Sequence, residues 1–332
     1  MEKDFPDPPA FTRDVYLKQN ICDNTLDNAQ LETRCPLDNG RHTDSKRTFV
    51  RCVPNQLDKL SNELLVGVLL KLDIPSLTRL RGLNHRMMEL VNSVRQYTAI
   101  VEHCPDIIRA IISIQADAFD CGTLYRTLCT SQCSTCNRFG DHLYLIDCRR
   151  VCYFCFTEKA EYFPLTTYEA SKFFIPGPKP QSKAQSSRKL LQSANPPSIL
   201  SLPGRYCSGW TQRGGNLQSR RIRLYDRRAV VQDLSGRGLP QLDKITREPK
   251  RYMAIITAPV LLHGGRQVDR GFFCRGCMDE SHEETGKHFR NKYTKEGIAE
   301  HFATHGRIVK MAPGLDRYTH DTRTILAASQ SS

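Results

Sequence analysis

The chain has 332 residues, 48 Lys and Arg against 35 Asp and Glu, a formal net charge of +13 and 39% hydrophobic residues. This length and apolar fraction suit about two folded domains, or one irregular domain with long loops, and exclude a fibrous or wholly disordered chain. The opening MEKDFPDPPAFTRDV carries acids and prolines without an apolar core, so it does not read as a signal peptide. The longest apolar runs, such as residues 64–70, fall far short of the roughly 18 residues of a membrane span. An intracellular protein, cytoplasmic or nuclear, is expected, and in a reducing compartment fourteen cysteines point to metal rather than to disulfides.

Residues 1–54 alternate Asp, Asn, Pro and Thr without apolar periodicity and predict a disordered arm. From Leu57 helix signals become dense. Ser61 can cap a first helix with the stripe Leu64, Val68 and Leu72. Asp73 and Pro75 open a second with Leu77 and Leu80, which Gly82 can end. Asn84 can cap a third. These helices occupy 55–96, and further short helices are expected from Pro105 to Leu128.

The segment 97–175 contains Cys133-x2-Cys136 and Cys152-x2-Cys155 with fifteen residues between the pairs. Two such turns each aim two sulfurs at one ion, and four thiolates close a tetrahedral zinc site without leaving a position for catalytic water. Cys148 is read as a buried bystander, and Cys121 and Cys129 as core. Arg149 and Arg150 are expected to offset the negative charge of the thiolates. A RING-type enzyme would need a second, interleaved ligand set with a histidine, and a six-cysteine DNA-reading cluster would need another spacing; neither is present in the sequence. Residues 176–198, rich in Pro, Ser, Gln and Lys, predict a flexible linker. In 199–315 a strand is expected at 251–262. A second zinc site is expected from Cys274, Cys277, His301 and His305, the histidines lying one turn apart on a helix capped by Thr294. Residues 316–332 predict a disordered tail. No nucleophile–base arrangement and no phosphate-binding glycine loop stands out, so no catalytic site is expected. The fold class is α+β, mainly helical, with a zinc-stapled body.

Residues 57–93, LDKLSNELLVGVLLKLDIPSLTRLRGLNHRMMELVNS, resemble an F-box of the form found in proteins of filamentous fungi. The match is carried by Leu60, Glu63, Leu64, Leu72, Asp73, Ile74, Pro75, Ser76, Leu77, Arg79, Leu80, Arg81 and Asn84, with Ser61 in place of the usual proline. Residues 124–156 and SLPGRY at 201–206 are also similar to that family. The resemblance implies a three-helix N-terminal module that binds a Skp-type adaptor, and through it a cullin–RING ubiquitin ligase, by Leu60, Leu64, Ile74, Pro75, Leu77 and Leu80. The remainder would then recruit a protein substrate, as a non-enzymatic subunit. The competing expectation is a zinc-containing nucleic-acid-binding regulatory protein, motivated by the basic stretch 213–251.

Overall fold

The structure, a computed structural model, describes residues 15–16, 23–35, 60–173, 183–208, 217–234, 249–279, 288–312, 314 and 317–321. Its helices are α1 Leu31–Arg34, α2 Asn62–Leu70, α3 Ile74–Arg81, α4 His85–Ser93, α5 Arg95–His103, α6 Pro105–Ile114, α7 Cys121–Leu128, α8 Tyr153–Glu158, α9 Thr167–Ser171, α10 Lys183–Ala194, α11 Arg275–Asp279 and α12 Lys295–His305. They combine with small antiparallel sheets in a mixed α+β architecture.

The expected caps form. Ser61, Asp73 and Asn84 accept the backbone N–H of Leu64, Ser76 and Met87 at the starts of α2, α3 and α4, each satisfying a donor that the helix leaves without an intrahelical partner. The three helices do not form a separate body. Leu65, Leu69, Ile74, Leu77, Met87, Leu90 and Val91 enter one continuous core with Ile100, Ile107, Ile111 and Leu124 of α5–α7 and with Leu143, Val151, Ile255 and Ile256.

Among the described residues, three sheets have three strands each. His142–Tyr144 lies between Arg149–Val151 and Ile255–Thr257, Arg223–Tyr225 between Leu165–Thr166 and Ser198–Leu200, and Phe272–Cys274 between Val15–Tyr16 and Lys292–Tyr293. The single strand expected over 251–262 is divided. Ile255–Thr257 pairs with His142–Tyr144, whereas Val260–Leu262 pairs with Gln267–Asp269. Pro259 stands at the division, where it lacks the N–H a ladder would need, and its carbonyl accepts from Arg150 instead.

Three segments expected to be disordered or a flexible linker contain packed structure. In the N-terminal arm, Val15 pairs with Cys274, Leu26 and Leu31 are buried in the main core, and Asp23 forms a buried ion pair with Arg290 at 3.0 Å. Asp27 accepts from the backbone N–H and hydroxyl of Thr257. Residues 23–35 thus form a strap, held by apolar anchors too sparse to give a periodic signal. The expected linker contains α10, whose Leu191 is buried with Leu165, Ala170, Tyr225, Val230 and Val231 in a second small core. The expected tail contains the strand Tyr318–Asp321, paired with Arg307–Lys310. The rest of the predicted arm and tail, and residues 176–182 of the linker, lie outside the described residues.

Arg150 is 2% exposed, and its guanidinium donates to the carbonyls of Thr127, Leu128, Gly140, Ala258 and Pro259. Burial pushes its pKa down to about 10. Gly140 permits this contact, since a Cβ there would stand 2.7 Å from Arg150 Cγ. Arg150→Met would leave several buried carbonyls unsatisfied at roughly 1–3 kcal/mol each. It is expected to destabilise the chain by more than about 3 kcal/mol, read as a shifted denaturation midpoint. Gly140→Ala should cost about 1–3 kcal/mol through the clash.

Candidate metal centres and docking face

The first cluster is the one expected from sequence. The thiols of Cys133, Cys136, Cys152 and Cys155 lie within 4.8 Å of one another, a group able to hold a metal ion. Cys133 and Cys136 sit on a tight turn after α7, closed by the Asn137 N–H to the Cys133 carbonyl with Asn137 at φ 60. Cys152 stands at the N-cap position of α8 and Cys155 lies in its first turn, where the positive end of the helix dipole favours thiolate. The Ser134 N–H and hydroxyl both donate to the Arg150 carbonyl at 2.9 Å, tying the first turn to the strand that leads into the second pair.

Cys136 Sγ lies 3.5 Å from Cys152 Sγ. Metal–sulfur bonds of about 2.3 Å in a tetrahedron place sulfurs about 3.8 Å apart, so the thiols sit close to a ligating arrangement. Hydrogen bonds from Cys152 and Cys155 hold the Cys133 thiol far below its ordinary range, while Cys152 is pushed up to about 12 by the same contact with Cys133. A divalent cation placed among the four thiols would favour their deprotonation.

Cys148 lies outside the four-thiol group. It is buried at φ 61 in the turn between two strands, and burial pushes its thiol up to about 12. Cys121 is fully buried, as expected, but Cys129, expected in the core, is exposed where α7 ends. The expected role of the arginine pair is not observed. Arg149 binds Asp147 at 2.6 Å and Asp226 at 3.1 Å, and Arg150 is engaged by carbonyls. Their charge is committed to joining the hairpin to the body.

The second cluster requires a correction. The residues brought together are Cys274, Cys277, His301 and His320, not His305. Cys274 ends a strand, Cys277 lies in α11, His301 is buried on α12, and His320 returns on the C-terminal hairpin. His320 Nε2 lies 3.2 Å from Cys274 Sγ, 3.3 Å from Cys277 Sγ and 3.3 Å from His301 Nε2; Cys277 Sγ lies 3.4 Å from His301 Nε2. Tetrahedral N/S coordination gives edges of about 3.4–3.8 Å, so this set fits a metal ion as well as the first does. Contact with Cys277 holds the Cys274 thiol down to about 3, against the effect of burial.

His320 Nδ1 lies 3.0 Å from the Gly306 carbonyl. A donated proton there leaves Nε2 as the metal-facing lone pair, a common orienting device for ligand histidines. His305 instead places Nδ1 3.1 Å from the His301 carbonyl and stacks on the His301 ring at 4.2 Å. Spacing on a helix identified two histidines near one face but could not show a third arriving from a hairpin. Gly306 ends α12 at φ 93 and turns the chain into Arg307–Lys310, and the Ile308–His320 pairing returns the missing ligand.

The third feature is the outer face of α2. Leu64 is 59% exposed and Val68, one turn on, 50%; Leu60 ahead of the cap is 38% exposed. Of the other residues expected to contact an adaptor, Pro75 and Leu80 are partly buried, while Ile74 and Leu77 are fully buried in the main core. The latter two are withdrawn from any surface in this conformation, because α3 packs on α4 and α6 and both residues enter the main core.

Among the described residues no helix is long and apolar enough to cross a membrane. No protein-family model, no curated protein and no solved structure matches this chain.

Metal analysis of the purified chain is expected to give two bound ions, one per cluster. Cys152→Ser and His320→Ala should each remove one, whereas His305→Ala should retain both. Two ions in His320→Ala together with one in His305→Ala would reinstate the ligand set expected from sequence.

Proposed function

We propose that this chain is a non-catalytic substrate-recognition subunit of a Skp–cullin–F-box ubiquitin ligase, docking on a Skp-type adaptor through α2 and its surroundings. The observation that carries this reading is the exposed stripe of Leu64 and Val68 on a capped helix, continued by Leu60 just ahead of the cap, while the helix's other side, Leu65 and Leu69, is already buried. Large apolar side chains exposed one turn apart suit a helix face that a partner covers. The stripe falls within residues 57–93, the segment that resembles an F-box. Zinc is the metal proposed for both clusters. A closed tetrahedron of four cysteines, or of two cysteines and two histidines, suits an ion without redox chemistry or a strong geometric preference. Such sites staple the body that would present a protein substrate.

The described part of the basic stretch supports this reading over nucleic-acid binding. Arg221 donates to the carbonyls of Ser201, Leu200 and Ser113, Arg227 to that of Phe163, and Arg251 to those of Phe156 and Lys159. Guanidiniums occupied in this way are poorly placed to track a phosphate backbone. Residues 209–216 and 235–248 of that region lie outside the described residues.

Co-expression with a Skp-type adaptor should yield a stable complex. Leu64→Asp with Val68→Asp should weaken it at least about tenfold, since desolvated apolar anchors dominate such interfaces, while both metals and the thermal transition are retained. Ile74→Asp should unfold the chain instead. Wild-type protein that binds no adaptor at micromolar concentration, and is retained on a nucleic-acid column until high salt, would replace this reading with the competing one.

A further inference from the structure

One guanidinium faces three carboxylates where the hairpin 142–151 meets the strand Arg223–Tyr225. Arg149 Nε lies 2.6 Å from Asp147 Oδ2, Nη2 3.1 Å from Asp226 Oδ2 and Nη1 3.7 Å from Glu161 Oε2. Its Cζ stands over the Tyr162 ring at 4.6 Å from the centroid and over the Tyr144 ring at 5.3 Å. The Asp226 side chain is 2% exposed, those of Asp147 and Glu161 24% and 21%.

This place is a junction. Leu143, Tyr144 and Val151 of the hairpin belong to the main core, as does Leu224, whereas Tyr225 enters the second small core. Asp226 Oδ1 accepts the Ala229 N–H at 2.7 Å at the start of the helical segment Ala229–Leu234, which sends Val230 and Val231 into that second core.

Charge at the junction is out of balance. Arg149 offsets one of the three carboxylates. Arg228 also acts on Asp147 and Asp226, but it is exposed to water, which screens it. Arg227 is turned to the Phe163 carbonyl. Asp147 Oδ1 is buried without a hydrogen-bond partner among the described residues. An ionised oxygen so placed is costly, and a proton on the carboxyl removes that charge. The neighbouring acids do not release one in its place. Burial, with Asp226 and Asp147, holds the Tyr144 hydroxyl well above its ordinary range, and burial keeps Cys148 a thiol.

We propose that Asp147 and Asp226 hold one proton between them in mildly acidic solution, and that its loss toward neutral pH loosens the junction between the hairpin and the second core. Burial pushes the Asp147 carboxyl up to about 6, with Arg149 opposing and Asp226 adding to the effect, and burial raises Asp226 as well. A carboxyl raised in the folded state stabilises that state while protonated. The contribution is present in acid and declines as pH rises from about 4 to about 6. The device uses no metal ligand and no residue of α2.

The test uses the full-length, metal-loaded chain at constant ionic strength, with metal content measured at each pH. Amide hydrogen exchange at residues 142–151 and 223–226, corrected for its intrinsic pH dependence, is expected to show an opening equilibrium about tenfold greater at about pH 7.5 than at about pH 5. Loss of metal in acid would act in the opposite direction. Asp147→Asn, neutral throughout, should lose this dependence and denature at higher urea than wild type at neutral pH. In carbon-13 NMR the wild-type Asp147 carboxyl, assigned by its absence from Asp147→Asn, should titrate near pH 6. Opening that is equal at the two pH values or greater in acid, an Asp147→Asn dependence equal to that of wild type, or an Asp147 carboxyl titrating near about 4 would each overturn the proposal. Should Asp147→Asn not fold, exchange in the wild type still decides. None of these readouts involves an adaptor, so failure here is distinct from failure of the ligase reading.

Discussion

A single buried guanidinium ties the centre of this molecule together. Arg150 draws to itself the carbonyls that end α7, the carbonyl of Gly140 beside the first metal turn, and two carbonyls at the break between Ile255–Thr257 and Val260–Leu262. Each belongs to a segment that leaves regular structure and would otherwise bury an acceptor without a donor. Taking a charge out of water is costly, and the cost is tolerable here because five acceptors surround the planar donor fork. The arrangement explains why Gly140 has no side chain and why the strand after it can bend at Pro259.

Around that centre, the cysteine clusters do what a chain with short elements needs. Many strands have only two or three residues and several helices fewer than eight, too short for local hydrogen bonding to hold them alone. An ion held by such a cluster would replace cooperativity along one element by bonds between elements, and its binding would contribute directly to folding. In the second site the four donors come from a strand, two helices and a hairpin. The N-terminal arm adds to this module from outside, through Val15 beside Cys274 and Asp23 on Arg290. The N-terminal arm thus packs against the strand that carries Cys274.

Legibility followed the range of the interaction. The caps at Ser61, Asp73, Asn84 and Thr294, the stop at Gly82 and the four-cysteine cluster all rest on partners a few residues apart or on one short repeated spacing. Such features are written into local chemistry. The strap was not legible because Leu26 and Leu31 are isolated anchors whose burial depends on α6 and residue 257 arriving from elsewhere. In α10, one buried leucine decides what a polar composition conceals.

The sequence by itself determined the helix starts, the first metal cluster and two of the second cluster's sulfurs, because each is a matter of residue type at short spacing. Tertiary structure alone decided that His320 rather than His305 completes the second cluster. It also decided that Ile74 and Leu77 face inward while Leu64 and Val68 stay exposed, and that Arg149 and Arg150 serve the body rather than the thiolates. The physical reason is the same each time. Which side of an apolar helix faces outward, and which of several histidines reaches an ion, depends on what packs against them from far along the chain, and a local pattern cannot carry that information.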